Sequence, residues 1–128
     1  MRRFPATPIP VAVFDLAKVD GDLTVRHAAG DETYLAFSGE TENPEPREVI
    51  FADAGGRAHA RRWTNRQSAL SAVRAETATV HIVAEAMHAT AVTDVQNLLA
   101  ALAQAIGAIS SAAPRTALLD RSAPRFDF

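Results

Sequence analysis

Cysteine is absent from this 128-residue sequence. Its absence excludes a disulfide framework, thiolate nucleophiles and thiolate metal sites. A long apolar run is missing too. The N-terminus, MRRFPATPIPVAVF, opens with two arginines but holds no apolar stretch long enough for a signal peptide. Nothing approaches the ~20 apolar residues of a membrane span, so the expectation is a soluble cytoplasmic chain with no membrane partner. Excess positive charge is also lacking, since 13 Lys and Arg against 15 Asp and Glu give a formal net charge of −2. Affinity for nucleic acid comes largely from neutralised phosphates, so any RNA contact has to come from a local patch. No G-x-S-x-G elbow, P-loop, H-E-x-x-H or dinucleotide fingerprint is present. No two of the histidines His27, His59, His81 and His88 stand at chelating i, i+2 or i, i+4 spacing, so neither a metal nor another cofactor is expected.

What is present reads as one domain over residues 1–128, long enough to bury a core. DLTVRHA (Asp22–Ala28) alternates as a strand with Leu23 and Val25 inward, and TYLAFS (Thr33–Ser38) is a second strand. GETENPEP (Gly39–Pro46) is an acidic surface loop, and its Glu40, Glu42 and Glu45 lack a calcium-loop pattern. A double glycine between EVIFAD and RAHARRW signals a hairpin of Glu48–Asp53 with Arg57–Trp63. Asn65–Thr77 is polar and irregular, and ATVHIVAEAM (Ala78–Met87) reads as a buried strand. A helix is expected from Thr93, with Thr93 and Gln96 as a capping box, to about Ile109, and its leucines repeat on one apolar face.

Chemistry concentrates between Arg57 and Met87. Strict alternation puts Arg57, His59, Arg61 and Trp63 on one face of the second hairpin strand, and Ala58, Ala60 and Arg62 on the other. A tryptophan beside guanidinium groups can stack a nucleobase and hold phosphate. The same pattern fits a tryptophan at a core margin with arginine stems lying over it. His81 and Glu85 share a strand face, but four residues of strand separate them by about 13 Å. A direct acid/base dyad is thereby excluded, although both can line one cleft.

Two stretches, PVAVFDLAKVDGDLTVRHAAGDETYLAFSGE and REVIFADAGGRAHARRWTNRQSALSAVRAETATVHIVAEAM, together resemble a known family. It is the tRNA-binding and editing domain of the bacterial phenylalanyl-tRNA synthetase beta chain, built from its third and fourth modules. The likeness is closer to free-standing copies, which carry R-W-x-x-R-Q (here Arg62, Trp63, Arg66 and Gln67) and V-x-x-E/D-T (Val73, Glu76 and Thr77). Phe14–Leu16, Gly21–Leu23 and Val25–Arg26 match the family's entry segment.

The resemblance implies an α/β (α+β) fold, a mixed sheet with flanking helices trimmed at the N-terminal side, which a homodimer or a partner chain would cover. It implies tRNA or aminoacyl-tRNA as partner and hydrolysis of misacylated tRNA in trans as activity. A non-catalytic small-ligand or protein-interaction module on the same fold is the alternative. Asn65, Glu85, His81 and Trp63 are the candidate substrate contacts, and Arg57, Arg61 and Arg66 the candidate RNA contacts. Loop amides near Thr64–Gln67 would hold the ester oxygen, and an ionised Glu85 the substrate's ammonium. Three departures from the family pattern stand out. Ala12 replaces a histidine, RWTNRQ replaces a glycine-rich loop, and Glu85 is offset by about two positions from the family's strand glutamate.

Overall fold

A computed structural model describes residues 9–109 and 114–127. The order is β1 (Val11–Asp15), a 3-10 turn (Leu16–Lys18), β2 (Thr24–His27), β3 (Tyr34–Leu35), β4 (Thr41–Glu42), β5 (Val49–Ala52), β6 (Ala58–Arg61), β7 (Arg66–Gln67), β8 (Val80–Ala84) and α1 (Ala91–Ile109). The fold is α+β; among the described residues antiparallel sheets are followed by one helix. Two compact units divide it: Pro10–Glu85, and the described residues on either side of that span.

In the first unit β2, β5, β6 and β7 form a four-stranded sheet, β1 pairs with β8, and β3 pairs with β4. Both faces of β5 are covered. Ile50 and Ala52 pack with Ala28, Tyr34, Ala36 and Ala58. Phe51 packs on the opposite side with Ala12, Phe14 and Ala60, joined by Leu23 and Val83. Alanines at the crossings let the backbones approach closely, and the fully buried Phe14 and Ile50 each stabilise by roughly 1.5–3 kcal/mol. Val25, expected inward, is 49% exposed; Leu23 alone of that pair joins the core. β8 is shorter than the expected buried strand. It lies in a two-stranded ribbon, with Val80 exposed and the rest half-buried.

The glycine-turn hairpin forms as expected, with Ile50 opposite Arg61 and Phe51 opposite Ala60. The register then shifts so that Ala52 faces Ala58, which leaves His59 as the extra residue of a bulge. Alternation is broken there. Ala58, His59, Ala60 and Arg61 are all buried, so the expected split into an alanine face and a basic face does not exist. The chain stops being a strand at Arg62 and Trp63, whose φ values of 50° and 61° lie in the left-handed region.

The family-like motifs tie this unit together. Asp15 accepts from the Ala17 amide and from the Thr77 hydroxyl, joining the two matched stretches. The Gln67 side chain donates to the Val13 carbonyl, and the Asp15 amide donates to the Ser71 carbonyl.

In the second unit α1 starts two residues before the expected capping box. Thr90 precedes its first turn, and the Asp94 carboxylate accepts from the Thr90 hydroxyl at 2.8 Å and contacts His88 Nε2 at 2.6 Å. A carboxylate in the first turn also suits the helix dipole. Val95 is buried, while Leu98, Leu99 and Leu102 are half-buried. With 19 residues and a mean hydropathy of 1.3, α1 is long and apolar enough to cross a membrane by length and composition, contrary to the expectation that no segment is.

Candidate functional site

The β6–β7 hairpin turns through Arg62–Asn65. Two consecutive non-glycine residues in the left-handed region are costly and persist only where surroundings enforce them. Here the Trp63 amide donates to the Val49 carbonyl and the Asn65 amide to the Arg62 carbonyl. The Asn65 side chain closes the turn with a second bond to the Arg62 carbonyl. The result presents Arg62, and Trp63 at 38% exposure, outward.

Beneath the tip, Thr64 is buried and its hydroxyl oxygen has no hydrogen-bond partner among the described residues. A buried polar atom without a partner calls for an explanation. The backbone N–H of Thr64 donates to Glu85, which follows β8 and is itself anchored by its amide on the Pro10 carbonyl. Burial lifts the Glu85 carboxyl to about 7, against the opposing pull of the Thr64 amide. At neutral pH this carboxyl is therefore only about half ionised, where a firm ammonium contact needs full charge. His81, opposite Phe14 on β8, has its pKa lowered by burial.

The fold thus brings Glu85 to the loop that carries Trp63 and Asn65. Of the Thr64–Gln67 amides, that of Asn65 donates to the Arg62 carbonyl and that of Thr64 faces the Glu85 carboxyl. Ala12, which stands where the resemblance expects a histidine, is 1% exposed and opposite Val83, inside the core cluster.

The three candidate RNA-binding arginines have different fates. Arg61 is 4% exposed. Its guanidinium makes a bidentate pair with Glu48 at 2.7 and 2.9 Å and a third bond to Glu42 at 2.6 Å. The Arg61 bond is the main reason the Glu48 carboxyl lies below its usual range. Arg57 bonds Asp53 at 3.2 Å and the Lys18 carbonyl at 3.1 Å. Arg66, with 38% of its side chain exposed, meets Glu42 at 3.3 Å and lies over the Tyr34 ring at 5.2 Å, the loosest set of partners of the three.

Sequence reasoning missed Thr64 and a buried relay. His59 Nε2 meets Asp53 Oδ2 and His59 Nδ1 meets Ser71 Oγ, both at 2.8 Å, with all three residues at 6% exposure or less. The residue types are those of a nucleophilic triad, but the serine is wholly buried and no substrate reaches it. Asp53 also accepts from the amides of Asp20, Gly55 and Arg57. Burial works against its charge, and these bonds with His59 outweigh it, holding the carboxyl at about 2.

Comparison with known proteins agrees with the reading of the motifs. Residues 6–111 match the family model of the B3/4 domain. A phenylalanine–tRNA ligase beta subunit of Bradyrhizobium diazoefficiens is 47% identical over 47 residues, 37% of this chain and 6% of that protein. That of Chromobacterium violaceum is 41% identical over 44 residues, 34% of this chain and 6% of that protein. The matched stretch thus spans a small part of either ligase subunit. No solved structure matches at comparable stringency. The chain belongs to the B3/4 domain family.

Proposed function

We propose that this domain binds the acceptor end of tRNA or aminoacyl-tRNA in the cytoplasm, with the Arg62–Trp63 tip as its contact. The observation that carries this reading is the strained turn. It holds a guanidinium and the chain's single tryptophan outward, with the half-buried Glu85 carboxyl on the amide of the next residue. Unpaired terminal nucleotides stack on such indole faces in a sequence-tolerant way, and arginine adds phosphate attraction. Family membership and the two ligase relatives support the same partner.

A second reading, hydrolysis of misacylated tRNA, is favoured by Glu85. An acid with a pKa of about 7 is suited to take a proton from an attacking water at neutral pH. The engaged Thr64 and Asn65 amides and the buried Ala12 give that chemistry less support than binding has.

Titration with tRNA, followed by the fluorescence of Trp63, tests the binding. Saturable quenching that weakens with salt is expected. Trp63→Ala, followed by filter binding, should weaken it by about 1–3 kcal/mol. Arg66→Ala should flatten the salt dependence by about one unit of slope, and Arg61→Ala should not, since its charge is already neutralised. Absence of tRNA binding would shift the reading to a protein-interaction module, in which Trp63 and Arg62 are an anchor pair. Release of tyrosine from tyrosyl-tRNA by the parent but not by Glu85→Gln would establish hydrolysis.

A further inference from the structure

The ribbon of β1 and β8 leaves one strand edge open. Two flanking bonds show which way each backbone points. The Glu85 amide donates to the Pro10 carbonyl, and the Leu16 amide donates to the Thr79 carbonyl. In an antiparallel pair the N–H and C=O of one residue point to the same side, and the side alternates along the chain. With Phe14 opposite His81 and Ala12 opposite Val83, it is therefore His81 and Val83 that bond β1. Val80, Ile82 and Ala84 point their N–H and C=O to the outer edge. Among the described residues nothing bonds them there. The far edge of β1 is different. There the Asp15 amide donates to the Ser71 carbonyl, and the Val13 carbonyl accepts from Gln67.

Native proteins blunt an open edge with a lysine, a proline, a bulge or a covering segment. β8 has none of the first three. Its sequence is VHIVA, and its register with β1 runs unbroken from Val80 to Ala84. One face of the strand is used, since Val83 packs on the cluster of Ala12, Phe14, Phe51 and Ala60. The other face carries Val80, Ile82 and Ala84 beside Val11 and Val13, with Val80 44% and Val11 45% exposed. An apolar, unprotected edge of this kind fits an added strand, which supplies the missing main-chain hydrogen bonds.

Charge and symmetry select that strand. No acidic or basic residue other than His81 stands in β8, and burial lowers the His81 pKa, so the strand is uncharged at neutral pH. A charged peptide finds nothing there to pair with, and a like strand meets no repulsion. The central residue of the five, Ile82, is also one of the outward ones. A twofold axis at Ile82 sets it opposite Ile82 of a second copy, and sets Val80 opposite Ala84 of that copy. Every outward N–H and C=O of both strands is then satisfied, each opposed pair exchanging both of its bonds. We propose that two copies of this chain pair antiparallel through the outer edges of β8, with the twofold axis at Ile82, into one continuous sheet in the order β1-β8-β8-β1. Such an interface is self-complementary and closed, so it stops at the dimer. It makes no use of the Arg62–Trp63 tip, and the proposal does not rest on tRNA binding.

Sedimentation equilibrium of the intact protein tests it first. A reversible shift from 13.7 kDa to twice that mass is expected, with a Kd on the order of 10 μM. Ile82→Pro removes an outward N–H that β1 does not use, so the fold should stand while dimerisation weakens at least about tenfold. Ile82→Lys and Ile82→Glu set like charges opposite each other, and each alone should be monomeric. An equimolar mixture of the two should recover the dimer. The register has its own test, because the chain has no cysteine. Under mild oxidation Ile82→Cys should cross-link two copies, since opposed residues lie about 5.5 Å apart, within disulfide reach. Val80→Cys should not, since its two copies lie roughly 13 Å apart in that register. A parent that stays monomeric up to about 500 μM, well above that Kd, a dimer that Ile82→Pro leaves at full strength, or cross-linking as strong through Val80→Cys as through Ile82→Cys would each overturn the proposal. So would hydrogen exchange in dilute monomer that finds the Val80, Ile82 and Ala84 amides as protected as those of His81 and Val83, because the edge would then be covered within one chain. Loss of tRNA binding with the dimer intact would refute the function proposed above and leave this interface standing.

Discussion

The two ends of one short strand have opposite fates. At the start of β6, His59 sits at 0% exposure between Asp53 and Ser71. At its end, Arg61 is locked by two glutamates, and one residue later the chain turns outward with Arg62 and Trp63 exposed. Residue type alone does not distinguish them, since Arg61 and Arg62 are neighbours. Backbone geometry does. The bulge at His59 turns a side chain into the interior, and the left-handed pair turns the next ones out. The inward end should therefore govern stability, and the outward end should govern recognition.

The largest effect should come from the inward end. Asp53→Ala leaves His59, Arg57 and three backbone amides without their acceptor. Loss of roughly 3–5 kcal/mol is expected, a large share of the whole stability of a small domain. Urea denaturation with an unchanged m-value is the measurement. A loss below about 1 kcal/mol would mean that the relay is not what holds this end of the strand.

The expected hairpin formed because a double glycine between two apolar runs is a local signal, encoded by residues next to one another. The bulge was not legible, because alternation presumes one residue opposite one residue. Its cause lies in partners 6 and 12 positions away, Asp53 and Ser71. For the same reason Arg61 read as a phosphate ligand. The glutamates that hold it are 13 and 19 residues distant, one of them in the loop read as merely acidic. The Asp15–Thr77 bond spans 62 residues, yet both ends fell inside quoted family motifs, so the resemblance carried what periodicity could not. The burial of the Thr64 hydroxyl had no local signal, because it depends on how the hairpin tip packs and not on its neighbours in sequence.

The acid dependence separates the two ends a second way. Asp53 has its carboxyl held at about 2, below its ordinary 3.8, so it stabilises the fold above pH 3.8 and that contribution is lost as pH falls toward 2. Glu85 is opposite in sign. Its folded pKa of about 7 lies above the ordinary 4.5, so the fold carries no penalty from it below pH 4.5 and the full penalty above pH 7. Glu85→Gln should therefore be more stable than the parent by roughly 2–3 kcal/mol at pH 8, and the two should converge near pH 4.5. Parallel stability curves from pH 4.5 to 8 would show that the carboxyl is not held out of water. The tip reading would then lose its buried acid.

The smallest change is the sharpest test of the comparison. Arg62 and Trp63 keep left-handed backbone at a cost that glycine does not bear. Arg62→Gly removes that cost but adds conformational freedom to the unfolded chain, and the two effects oppose each other. A net gain of about 0.5–1 kcal/mol is expected if the strain dominates. The β5–β6 pairing and the Trp63–Val49 bond do not use the Arg62 side chain, so the fold should be unchanged. If the strain serves recognition, the same variant should lose tRNA affinity while gaining stability, because the guanidinium is gone and Trp63 stands on a looser turn. Arg62→Lys separates these contributions by keeping the charge and the strained backbone. It should retain the salt dependence and the parent's stability. Should Arg62→Gly gain stability and bind tRNA as the parent does, the strained turn would be a feature of folding alone, and the contrast between the two ends of β6 would collapse into one of packing.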